Sequence, residues 1–237
     1  MATEGEPCMV LDWDTEFWGV RIGRVHGDRL VPERVDAWAD DHGVTCLYFL
    51  ARDEPGAAAA AEQAGFRFMD VRVELARSAG DGELAAPLRE AGAEDETPLR
   101  RLARENHRTT RFYADPRFPD ERCDDLYEAW IASSLEGWAD VVLVAELEGR
   151  PVGYMTVHAD DAAGRGLLGL SSVAPEARRR GLGQALVRGA VGWCGGRGLT
   201  EVAVVTQGRN VAALRVFETC GFRIRDVRLW FHKWYEP

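Results

Sequence analysis

Three consecutive arginines, Arg178, Arg179 and Arg180, stand directly before Gly181-Leu182-Gly183. Apolar residues then follow at Leu182, Ala185, Leu186, Ala190 and Trp193, the spacing of one helix face. Glycines that open a helix leave backbone N–H groups free to turn onto an anion, and the helix dipole favours the same negative charge. With guanidinium groups alongside, the chemistry on offer is that of a pyrophosphate cradle. Neither GxxxxGK[ST] nor GxGxxG is present, so the cradle is neither a P-loop nor a Rossmann turn. The plainer alternative is a strand–helix turn with a solvated basic face.

The elements that must position this cradle can be read on either side. Leu167–Val173 reads as a short buried strand and Pro175 marks the turn after it. Upstream, Val141–Leu147 and Pro151–His158 read as two strands joined by a hairpin turn at Glu148-Gly149-Arg150. Downstream come a strand at Thr200–Thr206, a helix from Asn210 to Cys220 with Gly221 at its end, and a closing strand, Arg223–Trp234. Helices over about Asp95–Asn106 and Asp120–Glu136 flank a two-proline loop, Arg111–Cys123. A short strand near Leu88 begins this second unit. The first half reads as β-β-α-β-α-β: an aromatic-rich, non-helical segment and strand within Val10–Val25, a helix from Pro32, a strand at Val44–Leu50, an alanine-rich helix ending at Gly65, and a strand at Phe66–Leu75. Ser78–Gly82 is the best boundary, which divides the chain into domains 1–80 and 83–237.

Composition narrows the function classes. A chain of 237 residues can bury a sizeable core as one domain or two. A net charge of −10 argues against broad nucleic-acid binding, and the arginine cluster is sized for a small anion. No apolar run approaches a membrane span, and the acidic N-terminus lacks the features of a signal peptide. Five scattered cysteines read as reduced thiols, with neither a disulfide framework nor a metal site. The expectation is a cytoplasmic protein without a membrane or metal partner.

Arg178-x-x-Gly181-x-Gly183, preceded by a strand that ends at Val173 and followed by Asn210, resembles the acyl-CoA signature of the GNAT N-acetyltransferases. A closer resemblance covers almost the whole chain. Trp13-Asp14, Phe17-Trp18-Gly19, Gln63-Ala64-Gly65-Phe66, Arg111-Phe112-Tyr113-Ala114, Thr206-Gln207, Asn210-x-Ala212-Ala213-Leu214 and Trp230 are similar to the TDP-fucosamine acetyltransferases and their relatives. The resemblance implies an α/β GNAT fold, a mixed twisted sheet flanked by helices, preceded by a partial GNAT-like α/β domain. It implies acetyl-CoA, or a close acyl-CoA, as co-substrate. Its residues would be Ser171, Ser172 and Val173 on the strand, Arg178 through Gln184 at the cradle, and Asn210, Ala213 and Phe217 on the later helix. Arg179 or Arg180 is either solvated or turned to a 3′-phosphate. A homodimer is compatible with the reading.

Acyl transfer from a thioester to an amine needs a donor for the carbonyl oxygen, a neutral amine, and a proton for the leaving thiolate. By resemblance the Val173 N–H is the first of these. Asn210 either touches the pantetheine arm or caps its helix, and both can hold. The family's usual tyrosine on that helix is replaced by Phe217, which has no proton to give. Losing a general acid costs about 10²–10⁴ in rate, yet a thiol of pKa about 8.5 is a tolerable leaving group. Cys220, Tyr154, Tyr113 or solvent are the substitutes. The strand Leu167–Val173 carries no carboxylate, which leaves His158 or Asp160 to act as base through water. Arg111, Phe112 and Tyr113 are expected to shape the acceptor pocket, with Arg111 on a phosphate or carboxylate. Trp13, Phe17 and Trp18 are expected in the core of the first unit.

The sequence thus points to acylation of a primary amine on a small molecule, with a nucleotide-linked amino sugar as the leading acceptor. Two alternatives stay open: a transferase drawing on another donor such as an aminoacyl-tRNA, and an acyl-CoA-binding domain without catalysis.

Overall fold

The computed structural model describes residues 5–80 and 87–236. In chain order its elements are β1 (Cys8–Val10), α1 (Asp12–Trp18), β2 (Ile22–Val25), α2 (Pro32–Asp41), β3 (Cys46–Arg52), α3 (Ala57–Gln63), β4 (Arg67–Ser78) and β5 (Leu88–Glu90). Then follow α4 (Glu96–Asn106), α5 (Arg111–Ala114), α6 (Asp120–Ser133), β6 (Val141–Leu147), β7 (Arg150–Asp160), β8 (Arg165–Val173), α7 (Leu182–Gly196), β9 (Glu201–Gln207), α8 (Val211–Thr219) and β10 (Arg223–Trp234).

The chain forms two compact units. One holds the residues up to Arg72, Thr110–Phe118, and those from Val227 on; the other holds Val73–Thr109 and Pro119–Asp226. The change of unit at Arg72/Val73 falls inside β4, ahead of the boundary expected over Ser78–Gly82, whose last two residues lie outside the described ones. Residue 83, where the second domain was expected to begin, lies outside them too.

In the first unit the strand order is β1-β2-β3-β10, with β2 and β3 parallel and the other two pairs antiparallel. Cys46 to Ala51 of β3 are all buried, as a strand covered on both faces requires. Leu47, Phe49 and Ala51 point into a core built with Val35, Trp38 and Ala39 of α2, Ala61 of α3, and Phe231. Tyr48 points the other way, onto Phe112, Phe118 and His232.

Two segments here differ from the sequence expectation. Asp12–Trp18 is helical rather than irregular. Trp13 and Phe17, four residues apart, stack at 5.2 Å, Asp12 and Asp14 occupy the first turn, and Gly19 ends the helix at φ 71°. Each of these favours a helix locally. Trp18 does pack in the core, against Phe112 and Phe118, but Trp13 stays 44% exposed. Within the expected loop Arg111–Cys123, Arg111–Ala114 forms the short helix α5.

The second unit has the order β4-β9-β8-β7-β6-β5, with β8 and β9 parallel and β5 to β8 joined antiparallel. Side chains alternate across β7. A Cβ at Gly153 would lie 3.4 Å from Leu186 of α7, whereas the Tyr154 hydroxyl meets His107, at the end of α4. Helices α7 and α4 therefore cover opposite faces.

One irregularity shapes the centre of this unit. Val157 pairs with Leu168 and Met155 with Ser171, so Gly169 and Leu170 together oppose Thr156. This is a β-bulge on β8. The Leu170 N–H donates to Thr156 Oγ1 at 2.8 Å, and a Cβ on residue 169 would sit 2.4 Å from that same oxygen, so the position demands glycine. Pairing of β8 with β9 covers Arg165–Leu168 and stops where the bulge begins. From Gly169 to Val173 the strand has a partner on one side only.

Candidate acyl-donor cleft

The open side of β8 forms one wall of a cleft of about 640 Å³. Leu170 and Ala174 turn their N–H groups toward β7, to Thr156 Oγ1 and to the Val152 carbonyl. Backbone groups alternate along a strand, so those of Ser171 and Val173 face the open edge. The Val173 carbonyl accepts a hydrogen bond from Arg178 Nε at 3.0 Å. Arg178 Nη2 donates to Asn106 Oδ1 at 2.7 Å, and Asn106 Nδ2 donates back to the Leu102 carbonyl of α4. Arg178 thus ties the end of β8 to the end of α4.

The second wall is the start of α7. Gly181 precedes it at φ 80°, with no side-chain cap. The first intrahelical bond is donated by Ala185 to the Gly181 carbonyl at 2.9 Å. The N–H groups of Leu182, Gly183 and Gln184 consequently have no acceptor within the helix, which is the condition for anion binding at a helix start. A Cβ on residue 183 would find only Val216 of α8, at 3.9 Å, so glycine here keeps the space between the two helices open. Arg179 is held at φ 60°, a left-handed conformation uncommon for a residue with a side chain.

The third wall is α8. Asn210 is its N-cap: Oδ1 accepts from the Ala213 N–H at 3.2 Å. Ala213 and Phe217 line the cleft one and two turns further on, and Phe217 is buried edge-on against Phe222 with ring centres 5.7 Å apart.

Most residues expected at the donor site are therefore brought together: Ser171, Ser172 and Val173, Arg178 and Arg179, Gly181 to Gln184, then Asn210, Ala213 and Phe217 all line one cleft. Arg180 is exposed and does not line it. The expected proton carriers are placed elsewhere. Cys220 is buried with Sγ 3.8 Å from the Gln184 carbonyl, and burial raises its thiol pKa. His158 Nδ1 lies 3.1 Å from the Trp138 carbonyl. Tyr154 is fully buried, with its hydroxyl 2.8 Å from His107 Nε2. Burial raises the Tyr154 pKa and lowers that of His107 to about 4. That pair is neutral.

Arg111, Phe112 and Tyr113 belong to the first unit. Phe112 is buried, and Tyr113 partly so. The Arg111 guanidinium lies 4.1 Å from the ring centres of Tyr48 and Phe112 and 4.3 Å from that of Trp230. Arg111 Nη1 is 2.8 Å from His232 Nε2. An arginine can only donate, so Nε2 is the acceptor and the ring proton sits on Nδ1, which donates to Asp115 Oδ2 at 2.7 Å. Burial lowers the His232 pKa to about 4 against the pull of Asp115. Burial pushes the Asp115 carboxyl up, but hydrogen bonds from His232, Trp234 and the Arg117 N–H outweigh it and hold it below the usual value.

Sequence reasoning missed Asn106 and Thr109 in the cleft, and Asp115 and His232 around Arg111. Nothing local marks them. They are brought to their sites by chain segments distant in sequence. Among the described residues no cluster of His, Cys, Asp or Glu is placed to hold a metal, and no helix is long and apolar enough to cross a membrane.

The profile of the Acetyltransferase (GNAT) family matches residues 99–222. A dTDP-fucosamine acetyltransferase of Escherichia coli O6:H1 is 26% identical over 233 residues, 94% of this chain and 96% of the relative. The spore coat polysaccharide biosynthesis protein SpsD of Bacillus subtilis is 26% identical over 134 residues, 56% of this chain and 45% of its own. Among solved structures, a GCN5-related N-acetyltransferase from Sphaerobacter thermophilus superposes with a TM-score of 0.61 at 19% identity, covering 97% of this chain and 76% of that one. With more than half of the chain matched, on a fold that sets an uncapped helix beside an open strand edge, the protein belongs to the GNAT family of N-acetyltransferases.

Proposed function

We propose that this chain transfers an acetyl or short acyl group from acyl-CoA to the primary amine of a small molecule, an amino sugar being the leading acceptor. The observation that carries the reading is the cleft, where free helix N–H groups and an unpaired strand edge meet. The N–H groups of Leu182, Gly183 and Gln184, with Arg179, suit a pyrophosphate. Ser171 and Val173 suit an extended amide-bearing arm, and acetyl-CoA carries both. In the reaction the amine nitrogen attacks the thioester carbon, the carbon–sulfur bond breaks, and the thiolate takes up a proton as the amine loses one. The Val173 N–H is the donor for the carbonyl oxygen. With Phe217 in the cleft and Cys220 buried as a high-pKa thiol, solvent is the proton source for the thiolate. The two relatives named for sugar chemistry support an amino-sugar acceptor. On this reading the second unit is the catalytic domain, and the first is a partial GNAT-like domain whose Arg111, Phe112 and Tyr113 are candidates to bind the acceptor.

One observation favours a second reading, an acyl-CoA-binding protein without turnover: the cleft residue Phe217 stands where a proton donor is expected. Thiol release from acetyl-CoA across a panel of amines, TDP- and UDP-amino sugars included, with mass analysis of products, separates the two. An acetylated amino sugar supports the first. Tight acetyl-CoA binding with no product from any amine overturns it.

A further inference from the structure

The first unit carries a constellation that the donor cleft does not use. Cys46, Tyr48, Leu50 and Arg52 share the face of β3 opposite its core. Strand register sets Arg24 beside Tyr48, and sets His232, Trp230 and Arg228 beside Tyr48, Leu50 and Arg52. Paired residues project to the same side of a sheet, so Arg24, Arg228 and Trp230 share one face. Arg111 reaches this face from α5. Its Cζ lies 4.3 Å from the Trp230 ring centre, and that of Arg24 lies 5.7 Å from it.

Neither Arg24 nor Arg111 has a carboxylate at ion-pair distance among the described residues. The hydrogen-bond partner of Arg111 is a neutral imidazole, and the carboxylate behind it, Asp115, already accepts from His232, Trp234 and Arg117. Asp14 feels the Arg111 charge, but burial raises its pKa. The Tyr48 hydroxyl is buried with no well-formed hydrogen bond. Burial disfavours the Arg24 charge, and Arg111, Arg72 and Arg228 disfavour it further. Positive charge from Arg111, Arg72 and Arg228 thus gathers around Arg24 in a protein whose net charge is −10. Arg24 and Arg111 carry like charge with no carboxylate at ion-pair distance among the described residues, an arrangement that an anion relieves.

We propose that the sheet face bearing Arg24, Arg111 and Trp230, with Arg72 and Arg228 beside them, binds the phosphate or diphosphate group of a small ligand. Forked guanidinium donors match phosphate oxygens in pairs, and the aromatic rings hold the Arg111 fork in one orientation. A phosphate-bearing amine acceptor is one ligand that would use the site. The site itself stands apart from acyl transfer, because its test reads binding and not turnover.

The probe is inorganic pyrophosphate at low ionic strength, followed by the indole N–H resonance of Trp230, assigned through Trp230→Phe. The expected result is a saturable shift. Arg24→Gln should weaken it about tenfold or more, the scale of one charge-assisted hydrogen bond. Because the α7 cradle also suits pyrophosphate, the double variant Arg179→Gln/Arg180→Gln serves as the counter-test and should leave the Trp230 titration unchanged. Arg111→Lys keeps the charge but loses the fork, and should weaken binding without unfolding the unit. No shift at Trp230, a shift reproduced by the same ionic strength of chloride, or equal affinity in Arg24→Gln and Arg111→Lys, would each overturn the proposal.

Discussion

Strands β3 and β8 are each followed by a helix that starts at a left-handed glycine without a side-chain cap. The φ values are 84° at Gly56 and 80° at Gly181. Only one of the pair makes a cleft. β3 is hydrogen-bonded along its whole length to β10 and pairs with β2 only over Cys46–Tyr48, so its last residues are also open on one side, but its register with β10 runs without a bulge. β8 carries a bulge at Gly169 and Leu170 and leaves its last residues open on one side. The helix starts differ in charge as well. Asp53 and Glu54 precede α3, which has seven residues, whereas Arg178 to Arg180 precede the fifteen-residue α7. An anion is repelled at one and attracted at the other. The two helix starts thus share a backbone geometry and differ in charge and in the strand that leads to them.

The sharpest way to break this comparison is to reverse the charge at the second helix start. Arg179→Glu with Arg180→Glu should lower CoA affinity by about tenfold or more, on the scale of the one charge-assisted hydrogen bond that Arg179 supplies, with the circular dichroism unchanged. Asp53→Lys with Glu54→Lys in the first unit should leave that affinity alone. Calorimetry that finds both double variants equal to the parent removes the cradle from α7.

Acid should come next in effect, because each unit holds one neutral histidine. His107 and His232 both have folded pKa values lowered to about 4 against an ordinary 6.5. Between those values the unfolded chain binds protons that the folded chain does not, so stability falls as pH drops from about 6.5 to 4. Asp115, with its carboxyl held low, extends the loss in the first unit as pH falls further. Urea melts at pH 7 and 4.5 should differ by a few kcal/mol. His107→Gln should remove the second unit's share and His232→Gln the first's. A pH-independent midpoint would contradict the lowered pKa of both rings.

Gly169→Ala tests the bulge. The added methyl must displace Thr156 Oγ1, and such overpacking costs about 1–3 kcal/mol. A fall in CoA affinity beyond that expected from stability alone would tie the bulge to the open edge; stability and affinity both at parental values would show that the strand tolerates a side chain there. The smallest effect is expected from Phe217→Tyr, which restores a hydroxyl to the cleft. Turnover should hold or rise by at most about tenfold, since solvent already serves a thiolate of ordinary pKa. Loss of turnover with folding intact would show that the hydroxyl disturbs the cleft's shape.

The second unit was legible because its signals are local. Gly181 and Gly183, the arginines before them, Asn210 after a strand, and the hydrophobic stripe of α7 each state their role within a few residues. The order of the strands and of the longer helices follows from the same kind of reading, α1 and α5 excepted. What stayed hidden is non-local. Asn106 joins the cleft through Arg178, seventy-two residues later in the chain, and Asp115 gains its role from His232, 117 residues away. Helix α1 was missed for another reason: its dense aromatic residues read as non-helical, while the four-residue interval between Trp13 and Phe17 favoured a helical stack. The exposed position of Arg180 shows that three adjacent arginines need not share one task.

The bond from Arg178 to the Val173 carbonyl has a consequence for affinity. The strand edge carries a tenant of its own, tethered five residues away and therefore present at high effective concentration. A ligand that pairs with this carbonyl must share it with the guanidinium or displace it, and displacement also frees the Asn106 side chain. Fragments carrying only the diphosphate end avoid that competition. The two halves of a long donor molecule should then bind with less than the sum of their separate free energies, and the shortfall measures the hold of Arg178.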